Sequence, residues 1–408
     1  MRAVVTRVDS LPAASNAWLW YVVGAGTWFL SFGLNGVIVP ALVTQQLRGG
    51  GGALALAQSS SQLPTVALIL IGGAVADRAD RRRLLIALHL VACALTVALA
   101  LGVSAGALSM PLVVCYGIGM GTVSAFLMPA RDALLSDVSG GNLMRGVSVL
   151  TMTQWSMQAL GSFSARIGAS IGIAALVAIQ ASILFAGAPA IARLPHRVRG
   201  DGPKRTTLSA SEFLEGVREV VRSPVLGPVA LLAIALGVFF IGPFLVVFPL
   251  LVRDYYSGDL ADLSLLFGCF PLGIIGSSAW ILARGGVRRK GRAQLGSLAI
   301  GALCMIALGS GLPFPLALVV VFAFGLGGAM FMNASRTLFQ EKAPPAHRGR
   351  VLSVYSLSTM GASGVLGAPL SGVLVGHFGP LVTCRVAGAA MLAVVAGFLA
   401  FTHIRELE

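Results

Sequence analysis

Residues 72–83 separate two long apolar stretches and read Gly72-Gly73-Ala74-Val75-Ala76-Asp77-Arg78-Ala79-Asp80-Arg81-Arg82-Arg83. The paired glycines carry no side chain, so a helix that contains them can approach a neighbouring helix closely. Asp77 is the first charged residue after the preceding apolar stretch, and a run of arginines follows it. This change from small apolar to charged residues predicts the end of one membrane helix and a short polar loop before the next.

The composition of the whole chain agrees with a membrane protein. Of the 408 residues, 56% are hydrophobic and 11% are charged, and the mean hydropathy is +0.88. A soluble domain has about 25% charged residues, so this chain cannot cover a soluble surface. Its five cysteines lie in or beside apolar runs without metal-ligand spacing, and we interpret them as reduced. These features exclude a soluble enzyme, a disordered tail and a secreted disulfide scaffold.

Apolar stretches long enough to cross a bilayer recur along the chain. A helix needs about 20 apolar residues to span the hydrocarbon core. Twelve stretches meet that length, near residues 17–43, 53–76, 84–104, 110–130, 147–168, 170–192, 225–252, 262–283, 293–311, 314–336, 351–375 and 380–403. We therefore predict an all-α membrane protein with twelve transmembrane helices.

The basic residues are distributed unevenly over the predicted loops. If residue 1 is cytoplasmic, Arg48 and Arg253 fall outside, Arg166 and Arg385 fall within spans, and the other 25 of the 29 Lys and Arg residues lie on the cytoplasmic side. This is the bias that short cytoplasmic loops show. It predicts a multi-pass protein of the cell membrane with both termini in the cytoplasm, and it favours an even number of spans.

The longest polar stretch, residues 193–224, lies in the middle of the chain and ends in an amphipathic pattern, SASEFLEGVREVVRS. It predicts a cytoplasmic linker with a helix along the membrane surface. The domains are then an N-terminal segment (1–16), a six-helix bundle (17–192), the linker, a second six-helix bundle (225–403) and a C-terminal segment (404–408). A weak repeat at an offset of 204 residues, with Gly72 matching Gly276 and Gly121 matching Gly325, supports two pseudo-symmetric halves.

The loop quoted above has the pattern Gly-x-x-x-Asp-Arg-x-x-Arg-Arg, which resembles the signature of the major facilitator superfamily. The resemblance implies a transporter built from two six-helix bundles. The signature residues are Gly73, Asp77, Arg78, Arg81 and Arg82. We expect Asp77, Arg78 and Arg131 to hold a cytoplasmic gate, in which Asp77 meets Arg131 and the start of helix eleven near Val351. Arg81, Arg82 and Arg83 are expected to face anionic lipid or acidic partners.

Three further segments resemble the drug and siderophore exporter branch, which includes the enterobactin exporter: residues 126–138, 213–226 and 333–357. Two marks common among antiporters are missing. The middle of span four, GIGMGTVSAF, carries no arginine, and span five reads LGSFSARIGA without the Gly-Pro-x-x-Gly-Gly element.

Charged residues within the membrane are candidates for coupling. Asp132, at the inner end of span four, is the acid nearest to mid-membrane and is a candidate proton site; the alternative is that it pairs with Arg131 or with a base in a neighbouring loop. His89 is an alternative that is more typical of packing. Arg166 and Arg385 lie near the outer ends of their spans, where they either extend towards the membrane surface or, for Arg166, contact an anion.

Polar and aromatic residues near mid-depth indicate a substrate cavity between the halves. The predicted lining residues are Asn35, Gln58, Gln62, Gln154, Trp155, Gln158, Phe240 and Tyr355. For each of them the alternative is an interhelical hydrogen bond or a packing contact. No charged pair crosses this region, which favours neutral or amphiphilic cargo.

Together these features predict a secondary transporter that exports a small drug-like or siderophore-like compound by alternating access, coupled to protons. The alternatives are a lipid or lysolipid translocator, or a passive facilitator or importer on the same fold. Motifs such as HExxH and the Walker loop are missing, which argues against an enzyme, a metal site or a cofactor. The expected partners are a small molecule, the bilayer and protons, without nucleic acid, and the expected state is a monomer.

Overall fold

The computed structural model describes residues 16–139, 143–194, 210–284, 287, 289–343 and 348–401. Throughout these ranges the regular elements are helices. Outside the described residues lie most of the predicted N-terminal segment 1–16, linker residues 195–209, residues 402–403 and the whole of the predicted C-terminal segment 404–408.

The first half of the chain contains six membrane helices, called spans one to six. Span one continues beyond its α-helix as a wider π turn, Leu42–Gln46, and span six begins after Gly172, whose φ of +88° only glycine adopts without strain. The helices are Asn16–Ala41, Gly51–Arg78, Arg81–Ser104, Met110–Val138, Leu143–Ser164 and Ile173–Ala192.

The second half contains spans seven to twelve. Span seven covers Leu226–Tyr255, and spans eight, nine and ten are Leu260–Ala283, Lys290–Gly309 and Phe314–Lys342. The helical segment Arg350–Phe401 is 52 residues long. At 1.5 Å per residue it would be about 78 Å long, far more than one bilayer crossing. Gly379, with a φ of +74°, divides it into span eleven (348–378) and span twelve (380–401).

The prediction of twelve membrane helices in two bundles is confirmed. Ten segments of the described chain are long and apolar enough to cross a membrane, and one of them contains both span eleven and span twelve. Span five is 22 residues long and carries Arg145, Gln154 and Gln158, so it is less apolar than these ten segments.

Equivalent helices pack against each other in the two halves. Span two packs on span four as span eight packs on span ten, and spans one and five correspond to spans seven and eleven. An added Cβ would lie 2.1 Å from the Ser61 carbonyl oxygen at Gly121, and 2.2 Å from the Phe270 carbonyl oxygen at Gly325. The predicted Gly121/Gly325 repeat therefore marks the same close helix contact in both halves.

The loop ion pairs repeat in the same way. Arg81 pairs with Asp137 at 2.7 Å, and Lys290 pairs with Glu341 at 2.7 Å.

The prediction that Arg81 and Arg82 face lipid or acidic partners is wrong, because both side chains bind within their own bundle. Arg81 binds span four, and Arg82 donates to the carbonyl of Ala192 at the end of span six. Both arginines turn back because an acid and an open helix end lie within reach in their own bundle.

The linker helix, Ala210–Arg222, packs on the first turns of span eleven. Gly216 lies against the backbone of Arg350, and Arg350 binds Glu215 at 2.5 Å. Val220 is buried, whereas Val221 is 73% exposed. The linker helix therefore belongs structurally to the second half.

Close packing at Gly121 gives a direct stability test. Gly121→Ala should lower the free energy of unfolding by about 1–3 kcal/mol, because the added methyl meets a backbone carbonyl that cannot move aside. Gly296→Ala is the matched control, since no atom lies within 4 Å of its added Cβ. Thermal melting of the purified protein in detergent measures both; equal melting temperatures would contradict the packing argument.

Candidate functional site

The two halves meet along spans two and eleven on one side of the membrane. We call the side that holds residues 16 and 401 the terminal side and the opposite side the distal side. On span two, the contacting residues repeat every three or four positions from the distal end to mid-depth, and are Gly51, Ala55, Ser59, Gln62 and Val66. The Ser59 hydroxyl donates to the Gly364 carbonyl at 2.8 Å. This stripe of span two closes the space between the halves on the distal side.

Two further contacts close the distal side. Phe163 of span five packs on Gly268 of span eight. Arg253, at the end of span seven, donates across to the carbonyl oxygens of Thr44 at 3.2 Å and Gly49 at 2.6 Å. Hydrogen bonds from a guanidinium group are stronger than neutral ones, so Arg253 fastens the distal ends of the two halves together.

The predicted gate contact between Asp77 and Arg131 is not formed in this arrangement. Arg131 lies 4.8 Å over the ring of Phe29, and its guanidinium pairs with the neighbouring Asp132 at 2.8 Å. Asp77 is half-buried and has no hydrogen bond or ion pair with the residues that the structure describes, and Arg78 is exposed. The contact fails because Arg131 turns towards Phe29 of span one instead of towards span two.

The paired glycines have different surroundings. At Gly72 an added Cβ would lie 2.1 Å from the Ala125 carbonyl oxygen, so this glycine is needed for the contact with span four. At Gly73 no atom lies within 4 Å of the added Cβ. Gly73 and Asp77 lie on the same face of span two as the residues that contact span eleven nearer the distal side. On the terminal side this same face is therefore open.

Some predicted cavity residues are part of the interhelical packing. Gln58 is 9% exposed and donates to the Leu245 carbonyl at 3.3 Å, while Gln62 packs on Gly364, so both lie at the junction of the halves. Phe240 packs against Phe324 at 5.1 Å, and Tyr355 against Phe339 at 5.0 Å. The structure corrects the placement of Phe240 and Tyr355, which lie inside the second bundle and not on an open wall.

Span five carries the predicted residues that stay accessible. Gln154, Trp155 and Gln158 are half-buried, and none of them hydrogen-bonds through its side chain to a described residue. They lie on the side of the helix away from the exposed apolar Met152 and Leu160. An unpaired amide is costly in lipid, so a polar space between the helices suits these side chains better.

The second half contributes an aromatic cluster that the predicted lining covered only through Phe240. The ring of Phe244 lies 4.7 Å from the rings of both Phe267 and Phe270, and Phe270 contacts Phe324 at 5.8 Å. Phe244 and Phe270 are half-buried. The four-residue spacing of phenylalanines at 240, 244 and 248 was the available sequence signal, since it places them on one helix face.

Charged side chains lie near the span ends. The Asp132 side chain is 62% exposed at the terminal end of span four. Arg166 is exposed and lines a shallow distal pocket of about 530 Å³ with Phe163 and Ala261, and Arg385 is exposed at the distal end of span twelve. His89 is buried, with Nδ1 2.9 Å from the Leu85 carbonyl oxygen.

Comparison with known proteins agrees with this architecture. The family model described as Major Facilitator Superfamily matches residues 21–368. The chain belongs to the Major Facilitator Superfamily. Among curated proteins, none matches the sequence at a significant level.

Solved transporters share the fold of this family member at low sequence identity. The nucleoside transporter NupG superposes with a TM-score of 0.77 at 13% identity, covering 95% of this chain and 99% of that one. A bacterial homologue of the human lysosomal transporter Spinster, inward-facing and unoccupied, gives 0.65 at 16% identity, with coverages of 96% and 97%. A POT family transporter in complex with 5-aminolevulinic acid gives 0.69 at 14%, with 94% and 95%.

The role of Arg253 on the distal side can be tested by accessibility. Arg253→Ala should raise the maleimide labelling of an Ala55→Cys reporter about tenfold, because two charge-assisted bonds between the halves are lost. Arg385→Ala, which removes an exposed arginine from the distal end of span twelve, is the control. Labelling that rises equally in both variants would show that only surface charge matters. Unchanged labelling in Arg253→Ala would show that Arg253 does not hold the halves together.

Proposed function

We propose that this membrane transporter exports a small, neutral amphiphilic compound across the cell membrane by alternating access. The observation that carries the proposal is the contact pattern of span two, which is closed against span eleven on the distal side and open at Gly73 on the terminal side. A family member in this arrangement offers its central space to the terminal side.

The excess of basic residues assigns the terminal side to the cytoplasm in this proposal, so both termini are cytoplasmic and the arrangement is inward-facing. Cargo then enters from the cytoplasm. The wall residues are the amides and Trp155 of span five on one half and the half-buried Phe244 and Phe270 on the other. Such a mixture of aromatic and uncharged polar groups suits a neutral amphiphile.

Coupling to protons is part of the proposal, with Asp132 as the proton site. Its carboxylate lies at the cytoplasmic end of span four and pairs with Arg131, which is itself buried. Protonation would release Arg131 from this pair, and Arg131 could then reach Asp77. Asp132 is exposed in the inward-facing arrangement, as a proton site must be when it exchanges its proton with the cytoplasm.

The direction of transport rests on the three segments that resemble drug and siderophore exporters. The solved neighbours include a nucleoside transporter and a POT family transporter in complex with 5-aminolevulinic acid, and at 13–16% identity the neighbours support the fold alone. A lipid translocator or a passive facilitator on the same fold are the alternatives.

The function is tested by comparing a strain that lacks the protein with one that overproduces it. The overproducing strain should tolerate more of a neutral amphiphile such as chloramphenicol and accumulate less of it, and an uncoupler should abolish both differences. Movement of the compound down its gradient that survives the uncoupler, with equal steady-state accumulation in both strains, would identify a passive facilitator. Phospholipid movement in liposomes, without any change in drug accumulation, would identify the lipid translocator.

The paired glycines test the gate. Gly73→Leu should fold at normal abundance but lose most transport, because the side chain would obstruct closure of span two on span eleven at the cytoplasmic side. Gly72→Leu should instead reduce the amount of folded protein, since its Cβ meets the Ala125 carbonyl. Abundance and transport are measured for both. Wild-type transport in Gly73→Leu would remove the gate assignment.

A further inference from the structure

Four side chains form a polar cluster inside the first bundle, where spans one, four and six meet. The cluster consists of Ser31, Asn35, Tyr116 and Gln180. Gln180 Nε2 lies 3.3 Å from the Ser31 carbonyl oxygen and 3.4 Å from Asn35 Oδ1, and the Tyr116 hydroxyl donates to Asn35 Oδ1 at 2.7 Å. Gln180 and Tyr116 are 0% and 3% exposed.

The hydrogen bonds of the cluster fix the orientation of the Asn35 amide. A main-chain carbonyl can only accept, so the Gln180 amide must turn its nitrogen towards span one. Asn35 must then present its oxygen to Gln180, because two amide nitrogens facing each other would both be donors. The Tyr116 hydroxyl donates to the same oxygen. The Nδ2 group of Asn35, with two hydrogens, therefore points away from the cluster.

The other side of Asn35 is open. Asn35 is half-buried, and its Nδ2 has no partner among the described residues. On the same side of span one, Phe32 is 50% exposed and an added Cβ at Gly36 would meet no atom within 4 Å. The opposite side exposes the aliphatic Leu19 and Val23, as a lipid-facing surface does. The amide donor thus faces the space between the halves.

We propose that Asn35 donates a hydrogen bond to the cargo, so that the transported compound carries a neutral acceptor such as a carbonyl oxygen or an aromatic ring nitrogen. Gln180 and Tyr116 are positioning residues that keep the donor turned towards the cargo. This inference rests on the proposed function, because it assumes that neutral cargo binds between the halves.

The first test asks whether position 35 faces water. In purified protein, Asn35→Cys should react with a water-soluble maleimide, detected by mass spectrometry on a span-one peptide that contains no native cysteine. Ser31→Cys, at a position 2% exposed on the same helix, is the unreactive control. Failure of Asn35→Cys to react would overturn the inference, because its side chain would then face lipid or protein.

The second test compares quinoline with naphthalene, which share a shape but differ in one ring nitrogen. The ratio of their dissociation constants is measured by equilibrium dialysis in wild type and variants, so that partition into detergent cancels. Asn35→Leu should lower the preference for quinoline about 2- to 10-fold, the effect of one hydrogen bond. Gln180→Leu and Tyr116→Phe should lower it as well, while naphthalene affinity stays unchanged.

Gln294→Leu is the matched control, because Gln294 is also a fully buried amide, bonded to Ser335 at 2.7 Å in the second bundle. It should leave the quinoline preference unchanged. If both compounds bind and Asn35→Leu keeps the wild-type preference, the inference is wrong and the proposed cargo class stands. If neither compound binds the wild type, both the cargo class and the inference are wrong.

Discussion

Close approach between helices at glycine is the constraint on which the structure depends. Inside a bilayer each helix satisfies its own backbone hydrogen bonds, and the lipid is as apolar as the side chains, so association depends on packing. Gly121, Gly161 and Gly325 each bring a neighbouring carbonyl oxygen to within 2.2 Å of where a Cβ would be. These contacts join span two to span four, span one to span five, and span eight to span ten. They thereby fix the positions of the helices that face the space between the halves.

The positions of the spans followed from the sequence, because length and apolarity decide whether a helix crosses the membrane. The contacts that individual side chains make did not follow from the sequence. Phe240 and Tyr355 have the polarity of a cavity wall, yet other aromatic rings cover them. In a membrane helix the lipid face and the packed face are both apolar, so periodicity does not distinguish them. The motif correctly predicted that Asp77 lies at the end of a helix. The residue that Asp77 contacts depends on how the two halves are arranged.

The two halves contribute different chemistry to the space between them. In the proposed site, the first half presents amides, on span one at Asn35 and on span five at Gln154 and Gln158, and the second presents the aromatic surface around Phe244. Charges lie towards the ends of the spans, where water can solvate them. A compound held between these walls would be oriented by hydrogen bonds on one side and by stacking on the other.

The repeated ion pairs have an organisational consequence. The Arg81–Asp137 ion pair joins two helices of the first half, and the Lys290–Glu341 ion pair joins two helices of the second. The Glu215–Arg350 ion pair attaches the linker helix to the second half alone. Each lobe thus contains the interactions that assemble it. The covalent link between the halves then serves mainly to ensure that both halves are made in equal amounts. A gene divided just before residue 210 would encode two fragments, each able to insert into the bilayer and recognise the other there.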